Sequence, residues 1–234
     1  MPMNKDGIHQ TNLELWDRTF ASRPWGRYPP EELVRFVSRT FGRAPDRGMI
    51  TFLEVGCGPG ANIWYLVREG YTVAGIDGSP TAIRQSRERL QADGLLNGRA
   101  PIDLRQGDFG RLPWPAASFD VVIDIEAIYA NEVGVIRSCI DEIHRVLKPG
   151  GIFFGKMFGP KTTGYKTGIE TESNTFDNVV EGPCAGFGAS HFFTESELHL
   201  LFSGFSTFDL DWVHRSDLGR KIEVFEWLVT ARKL

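Results

Sequence analysis

The sequence predicts an α/β fold: a three-layer αβα sandwich around a seven-stranded, mostly parallel sheet whose last strand is antiparallel. Short apolar strands alternate with helix-like patterns between residues 50 and 157, a glycine-rich turn follows the first strand, and two further strands close the chain. Alternating strands and helices are typical of a parallel sheet that helices cover on both faces. With 234 residues, the chain is long enough to bury the core of one such domain.

The first two strands and the helix between them organise the rest of the chain. An apolar strand ends at Val55, glycines follow at positions 56, 58 and 60, and a helix-like pattern beginning at Asn62 leads to a second strand that ends at Asp77. Glycines there allow positive φ angles and a close approach of the backbone to a ligand. An acid at the tip of the second strand usually accepts hydrogen bonds from ribose hydroxyls. The stretch therefore predicts a nucleoside-binding βαβ unit.

Two kinds of cofactor fit this unit. Residues from Gly56 to Ala61 match the dinucleotide pattern G-x-G-x-x-G/A, which allows a nicotinamide or a flavin. Glu54 favours another cofactor, because its charge would repel the phosphates of a dinucleotide and would suit a cationic amino group. The sequence of residues 53–60 resembles the first motif of the class I S-adenosylmethionine-dependent methyltransferases.

This resemblance extends in family order over residues 31–234. Residues 145–151 also look like a motif of the family, one that dinucleotide dehydrogenases do not usually show. The resemblance implies a Rossmann-like methyltransferase fold with S-adenosyl-L-methionine as cofactor. It implies a cofactor site made of Tyr28, Glu54, Gly56, Cys57, Gly58, Gly60, Asn62, Asp77, Gly78, Ser79, Asp108, Phe109 and Ile125.

The first 45 residues are predicted to form a helical cap on the cofactor-binding domain of residues 46–234. Residues 12–20 and 31–41 have apolar side chains at helical spacing. Trp16 and Tyr28 are candidates for contacts that cover the cofactor. Packing of the first helix on the sheet explains Trp16 equally well, whereas a buried phenol such as Tyr28 needs a polar partner.

Chemically active side chains follow the third and fourth strands. The resemblance implies that Asp108 accepts a hydrogen bond from the adenine amino group and that Phe109 flanks the ring. A turn aspartate bonded to its own backbone is the alternative for Asp108. Glu126 and Tyr129 follow the fourth strand and should border the ligand crevice, as the carboxyl ends of strands do in open α/β sheets. Both are therefore candidates for the acceptor site and for catalysis, with ordinary capping or solvent contact as the alternative.

A long segment, residues 158–193, separates the fifth strand from a helix that begins with a capping box at residues 194–197. A segment of this length is either functional or mobile. The resemblance implies that it is a substrate-loop insertion that builds the acceptor pocket. His191 is the candidate general base, since an imidazole titrates near neutral pH. A histidine in the pocket wall is the alternative.

The last two strands, residues 205–213 and 221–232, are predicted to form an antiparallel pair at the edge of the sheet. The sheet of class I methyltransferases ends in such a reversed strand. A dinucleotide-binding fold would instead continue with a helix and a parallel strand.

Composition excludes several classes of function. A net charge of −4 lacks the basic footprint of a nucleic-acid-binding protein, and no apolar run approaches the length of a membrane span. The N-terminus has no signal-peptide core, and the three cysteines are far apart and form no C-x-x-C pair. We therefore expect a cytoplasmic protein in a reducing compartment, with no metal site and no membrane partner.

These observations together predict an S-adenosylmethionine-dependent methyltransferase that acts on a small-molecule acceptor at an O, N or C atom. No N/D-P-P-Y/F tetrapeptide of amino-methylating nucleic-acid enzymes follows the fourth strand, and the pair Pro183-Cys184 lies too late in the chain to be a cytosine-C5 nucleophile. The alternatives are a methyltransferase of proteins or RNA, a non-catalytic S-adenosylmethionine-binding protein and an NAD-dependent oxidoreductase.

Overall fold

The computed structural model describes residues 5–98 and 101–234 of the chain. Helices and strands alternate along it as the sequence predicts. The α-helices are α1 (Lys5–Ser22), α2 (Glu31–Phe41), α3 (Ala61–Arg68), α4 (Pro80–Ala92), α5 (Val133–Val146) and α6 (Glu195–Leu201). The strands are β1 (Thr51–Val55), β2 (Thr72–Asp77), β3 (Ile102–Gln106), β4 (Phe119–Ile125), β5 (Leu147–Phe158), β6 (Ile169–Glu172), β7 (Thr175–Asp177), β8 (Ser190–His191), β9 (Thr207–Asp217) and β10 (Ile222–Arg232).

Seven of these strands form the main sheet, in the order β3-β2-β1-β4-β5-β10-β9. β1 pairs in parallel with β2 and with β4, and β4 pairs in parallel with β5. β10 runs antiparallel to both of its neighbours, β5 and β9. The predicted fold class is confirmed, because the sheet is mostly parallel and the last strand of the chain is the reversed one.

Helices cover both faces of the main sheet because successive residues of a strand point to opposite sides. In β1, Leu53 and Val55 join the core that includes Ile140 of α5, whereas Phe52 joins the core that includes Leu33 of α2. Residues of α3 and α4 belong to the second of these cores, and α6 contributes to the first. The sheet therefore lies between two layers of helices, as predicted.

The N-terminal helix is longer than the predicted span of residues 12–20, because α1 begins at Lys5 and ends at Ser22. The residues before position 12 are mostly polar, so no apolar spacing marked them as helical. α2 coincides with the helix predicted at residues 31–41. The predicted boundary between a helical cap and the cofactor-binding domain at residue 45 stays a prediction, because α2, within the predicted cap, packs into the same core as the sheet.

The segment of residues 158–193 was expected to be a loop but contains the antiparallel sheet β6-β7-β8. These strands are short and β6 is largely exposed, so neither length nor apolar alternation marks them in the sequence. Phe176 and Phe192 of the segment are buried in the main core. The segment is thus packed onto the sheet, and its role as a substrate-loop insertion stays a prediction.

No helix in residues 5–98 or 101–234 combines the length and hydrophobicity that crossing a bilayer requires. Exclusion from membranes and residence in the cytoplasm stay predictions.

The turn between β1 and α3 needs glycine at two close contacts. Gly56 has a φ of 64°, and a Cβ there would lie 2.2 Å from the Cβ of Ala127 in the loop after β4. Gly60 has a φ of 81° and precedes the first residue of α3, and a Cβ there would lie 2.1 Å from Oγ of Ser86 in α4. The turn is therefore held between α4 and the loop after β4, at the edge of the sheet where the candidate site lies.

Replacing Gly60 by alanine should destabilise the fold more than the same change at Gly70. Gly70 also has a positive φ, of 91°, but nothing lies within 4 Å of the Cβ that alanine would add. Gly70→Ala should lower the free energy of unfolding by about 1–2 kcal/mol through backbone strain alone. Gly60→Ala should lose at least about 1 kcal/mol more, because Ser86 must move. Urea unfolding of both variants measures the difference, and equal losses would contradict the close contact.

Candidate active site

The candidate site lies where the order of strands reverses. β1 and β4 are neighbours, and the chain proceeds outward from β1 to β2 and from β4 to β5. Open α/β sheets bind ligands at the carboxyl ends of the strands beside such a point. The structure has a cavity with about 810 Å³ of empty space there, which we call the first cavity. Its wall contains most of the predicted cofactor residues, namely Glu54, Gly56, Cys57, Gly58, Gly60, Asn62, Asp77, Gly78, Ser79, Phe109 and Ile125.

Glu54 and Asn62 form a buried pair in this wall. Nδ2 of Asn62 donates to Oε1 of Glu54 over 2.6 Å. The other oxygens, Oε2 of Glu54 and Oδ1 of Asn62, are buried and accept no hydrogen bond from the described residues. Burial raises the pKa of Glu54 well above its usual value, and the charges of Asp124 and Asp77 add to the rise. The pair thus presents two acceptors that a ligand with N–H donors would satisfy.

Asp77 joins the tip of β2 to the glycine turn. Its Oδ2 accepts a hydrogen bond from the N–H of Gly58, and its Oδ1 accepts one from the N–H of Ser79, both over 2.8 Å. Burial raises the pKa of Asp77 to about 6. Each carboxylate oxygen has a second lone pair, so both can also accept from a ligand. Asp77 therefore fixes the turn and keeps capacity for hydroxyl donors.

α1 closes the outer side of the first cavity. Nδ2 of Asn12 donates to a backbone carbonyl of the loop after β4 over 2.8 Å, and the hydroxyl of Ser79 donates to Asp17. Trp16 stacks on Phe187 of the 158–193 segment with ring centres 4.9 Å apart. Trp16 also lines the first cavity, so it combines packing with contact to the cavity. The sequence left these two roles as alternatives.

Tyr28 and Asp108, two of the predicted cofactor residues, are not in the wall of the first cavity. Tyr28 is 72% exposed and its ring lies edge-on to Trp64. Oδ1 of Asp108 accepts from the N–H of Gly110 over 2.7 Å, which is the turn contact named as the alternative. Phe109, by contrast, lines the first cavity. The cofactor roles of Tyr28 and Asp108 stay predictions that this geometry does not favour.

A second cavity, with about 1310 Å³ of empty space, adjoins the first. The two cavities share wall residues, among them Trp16, Asn62, Ile125 and Glu126. Aromatic side chains form much of the wall of the second cavity: Trp16, Trp25, Tyr28, Tyr129, Phe158 and Phe187. A molecule in the second cavity would therefore lie beside one in the first.

Lys156 of β5 is buried against carboxyl groups at the second cavity. Its Nζ lies 2.9 Å from Oε1 of Glu126 and 3.0 Å from Oε2 of Glu226. Oε2 of Glu32 is 3.8 Å from the same Nζ. We call these four residues the ionic cluster. Burial acts to lower the pKa of Lys156, but the charges of Glu126 and Glu226 outweigh it and raise that pKa.

The two carboxyl groups closest to Lys156 differ in pKa. Burial raises the pKa of Glu226 to about 8, and the neighbouring charge of Glu126 adds to the rise. Burial also acts on Glu126, but the charge of Lys156 and the hydrogen bond from its Nζ outweigh it and lower the pKa of Glu126. The pKa of Glu226 is therefore the higher of the two, and Glu126 is the carboxyl group that ionises first.

The three predicted catalytic residues do not converge on one place. Glu126 lines both cavities, and Tyr129 is buried in the wall of the second, where burial raises its pKa well above the usual value. His191 is fully buried and lines neither cavity. Its Nδ1 lies 2.7 Å from Oγ1 of Thr175 and its Nε2 lies 3.0 Å from Oε2 of Glu197. Both ring nitrogens are thus engaged, which favours Glu126 and Tyr129 over His191 as groups that face an acceptor.

Sequence reasoning missed the other members of the ionic cluster. Lys156 and Glu226 are charged residues with apolar neighbours on both sides in their strands, and both are almost completely buried. Charged residues are seldom buried unless they are paired, so this pattern was a usable signal. It could not have shown that strands distant in sequence bring the two side chains together.

The first cavity has the chemistry of a site for cationic and hydroxyl groups. Among its described wall residues are the carboxyl groups of Glu54, Asp77 and Glu126 and no lysine, arginine or histidine. The amino end of α3 offers some positive potential to a phosphate. The charges of Asp77 and Glu126 oppose a phosphate, and the unpaired acceptors of Glu54 and Asn62 need donors. An S-adenosylmethionine amino group fits this wall better than a dinucleotide diphosphate.

Residues 53–155 match a family model described as a methyltransferase domain. Similar segments occur in an uncharacterized methyltransferase of Synechocystis (35% identity over 106 residues) and in a sterol 24-C-methyltransferase of Pneumocystis carinii (34% over 105 residues). The alignments cover 43% and 44% of this chain, and 43% and 26% of the two relatives. The chain therefore spans less than half the length of these curated relatives. The predicted resemblance to methyltransferases is confirmed for the matched domain.

A solved S-adenosylmethionine-dependent methyltransferase of Methanosarcina mazei has the same fold. It superimposes with a TM-score of 0.66 and 24% identity, over 79% of this chain and 92% of that chain. Similarity at this level of identity concerns the fold. It confirms the Rossmann-like methyltransferase fold that the motifs imply.

Replacing Lys156 by methionine should destabilise the protein far more than the same change at Lys148. Lys156 is 5% exposed, and its removal leaves the buried Glu226 and the half-buried Glu126 without its charge, which should cost about 3–5 kcal/mol. Lys148, in the same strand, forms a half-exposed ion pair with Asp120, and its loss should cost less than about 1 kcal/mol. Chemical unfolding of both variants measures this. Similar losses would show that the cluster is not essential to stability.

Proposed function

We propose that this chain is an S-adenosylmethionine-dependent methyltransferase that acts on a small-molecule acceptor. The observation that carries the proposal is the wall of the first cavity. The first strand of the matched methyltransferase domain leads into that wall, which lies at the switch point of the sheet. Oε2 of Glu54 and Oδ1 of Asn62 are buried in the wall without hydrogen-bond donors. The second cavity, which adjoins the first, has room for the acceptor.

The residues of the first cavity would hold the cofactor through complementary hydrogen bonding. Glu54 Oε2 would accept from its amino group, since this oxygen is buried without a donor. Asp77 would accept from the ribose hydroxyls with lone pairs that Gly58 and Ser79 leave free. Gly58 has a positive φ of 49° and no Cβ, so the backbone there can approach the cofactor closely.

When bound, S-adenosylmethionine supplies a methyl group on a sulfonium sulfur, and its transfer leaves the electron pair of the broken C–S bond on sulfur. The protein's part is to bind both reactants and to align them. Glu126 is placed for this because it lines both cavities. Tyr129, with its raised pKa, keeps its phenolic proton and can donate a hydrogen bond to an acceptor oxygen or nitrogen.

A small molecule is the acceptor that suits the second cavity. α1, α2 and the 158–193 segment border this cavity through Trp16, Glu32 and Phe187, so it is walled on several sides. One curated relative is named a sterol 24-C-methyltransferase, which acts on a small molecule. The acidic net charge of −4 disfavours a nucleic acid as the acceptor.

Calorimetric titration of the full chain should show binding of S-adenosylmethionine and S-adenosylhomocysteine and no binding of NAD. Asp77→Ala should weaken the first two by about tenfold, because hydrogen bonds to a charged group are lost. Asp209→Ala, an exposed residue of β9, is the matched control and should leave the affinity unchanged. Binding of NAD alone would contradict the proposal. Unchanged affinity in Asp77→Ala would remove Asp77 from the site.

The affinity for S-adenosylhomocysteine should rise with pH through the pKa of Asp77, which is about 6 in the free protein. Ribose hydroxyls stabilise the carboxylate, so below this pKa the protein must lose a proton to bind and affinity falls, by up to about tenfold per pH unit. Above this pKa the carboxylate of Asp77 is already ionised, so the pH dependence due to Asp77 ends. Calorimetry across this range measures the profile. In Asp77→Asn, the pH dependence of the affinity that is due to Asp77 should vanish, while the dependence due to Glu54 remains. An unchanged pH profile in this variant would contradict the role of Asp77 as an acceptor for the ribose hydroxyls.

A further inference from the structure

The ionic cluster has more negative than positive charge. Three carboxyl groups, those of Glu32, Glu126 and Glu226, face the single ammonium of Lys156. The excess persists when Glu226 keeps its proton, because two carboxylates then share one cation. Glu126 and Glu32 are partly exposed, with 32% and 22% of their side chains accessible, so a cation entering the cavity would be attracted to these two carboxylates.

The other charged residues of the second cavity reduce this excess only in part. Arg215 lines the cavity and its charge acts with that of Lys156 to lower the pKa of Glu126, but its guanidinium is exposed and pairs with Asp217. Glu31, also in the wall, is paired with Arg35. Each pair is neutral within itself and exposed to solvent, which screens it. The surplus carboxylate charge near Lys156 is therefore the main electrostatic feature of the cavity.

A separate feature of the wall also calls for a hydrogen-bond donor. Asn62 lines the second cavity and is 8% exposed, and its Oδ1 accepts no hydrogen bond from the described residues. This oxygen belongs to an amide, so its need for a donor is independent of the charge balance. A ligand that brings N–H groups would satisfy it.

The aromatic wall suits the same kind of ligand. Trp25 and Tyr28 line the cavity and are exposed, and Trp16 and Phe187 stack on each other next to Trp25. The guanidinium of Arg23 already lies over the rings of Trp25 and Phe187. The faces of aromatic rings attract cations. Carboxylates beside aromatic rings form an environment that favours an organic ammonium group over a neutral or anionic group of the same size.

We propose that the second cavity binds an acceptor that carries a protonated amino group, which the carboxylates of Glu126 and Glu32 hold beside the aromatic wall. The assignment rests on the proposed function only in that the bound molecule is named the acceptor. It specifies the chemical class of that molecule, an amine with an apolar or aromatic body. The ion pair with Lys156 keeps Glu126 ionised for this contact.

Three probes of similar size and different charge test this proposal: phenethylamine, phenethyl alcohol and hydrocinnamate. Their affinities are measured by ligand-observed NMR on the full chain at neutral pH, with and without S-adenosylhomocysteine. The amine should bind about tenfold or more tightly than the alcohol, because ionic hydrogen bonds to carboxylate add to the shared apolar contact. Hydrocinnamate should bind weakest, since its charge is repelled.

Two variants locate the contact and a third is the matched control. Glu126→Gln and Glu32→Gln should each weaken phenethylamine binding by about fivefold to tenfold and leave phenethyl alcohol unchanged. Glu88→Gln removes the same charge from an exposed position of α4 outside the second cavity and should change neither. Glu32 is in α2 at the border of the cluster, so its variant is informative even if Glu126→Gln does not fold.

An amine that binds no more tightly than the alcohol at millimolar concentration would overturn the proposal, as would a preference that both cavity variants retain. These outcomes are separate from failure of the proposed function. Binding of S-adenosylhomocysteine without a preference for the amine would leave the methyltransferase proposal intact and remove the amine. A preference for the amine without any binding of S-adenosylhomocysteine would support the amine site and contradict the methyltransferase proposal.

Discussion

Burial of carboxyl groups at the carboxyl ends of adjacent strands is the constraint on which this site depends. Glu54, Asp77 and Asp124 lie at or near the ends of β1, β2 and β4, and none is more than 8% exposed. Burial raises the pKa of each above its usual value, to about 7 for Asp124. Such groups need donors, and the chain provides them from the glycine turn, from Asn62 and from the backbone after β4. The same bonds therefore satisfy some of the carboxyl oxygens and fix both loops of the site.

The donors provided by the described residues are fewer than the acceptors. Oxygens of Glu54, Asn62 and Asp124 remain buried without a partner, whereas native proteins leave few such groups. In the ionic cluster the imbalance is one of charge, since Lys156 faces three carboxyl groups. A ligand that brings N–H donors and positive charge would relieve both the shortage of donors and the excess of negative charge. Two adjoining cavities with this property suit a cationic cofactor beside a second cationic ligand.

Local patterns predicted most of the main fold and missed what depends on distant contacts. β1, β2 and β4 are apolar and buried, so their strand character is visible in a short window of sequence. The three strands of the 158–193 segment are short and partly exposed, and only their packing on the main core makes them regular. His191 illustrates the same limit, because its residue type suggested a base while its bonds to Thr175 and Glu197 hold it inside the core.

The sequence by itself determined the strand-turn-helix unit and the residues of the first cavity that lie in it or directly after it, and their resemblance to a known family indicated the cofactor. It could do so because strand, glycine turn and acid are close in the chain, and their geometry follows from local backbone preferences. Only the tertiary structure decided that Lys156 of β5, Glu226 of β10 and Glu32 of α2 meet at one cavity. That meeting depends on the order of strands in the sheet and on how α2 packs against it, and neither is encoded in the spacing of residues along the chain.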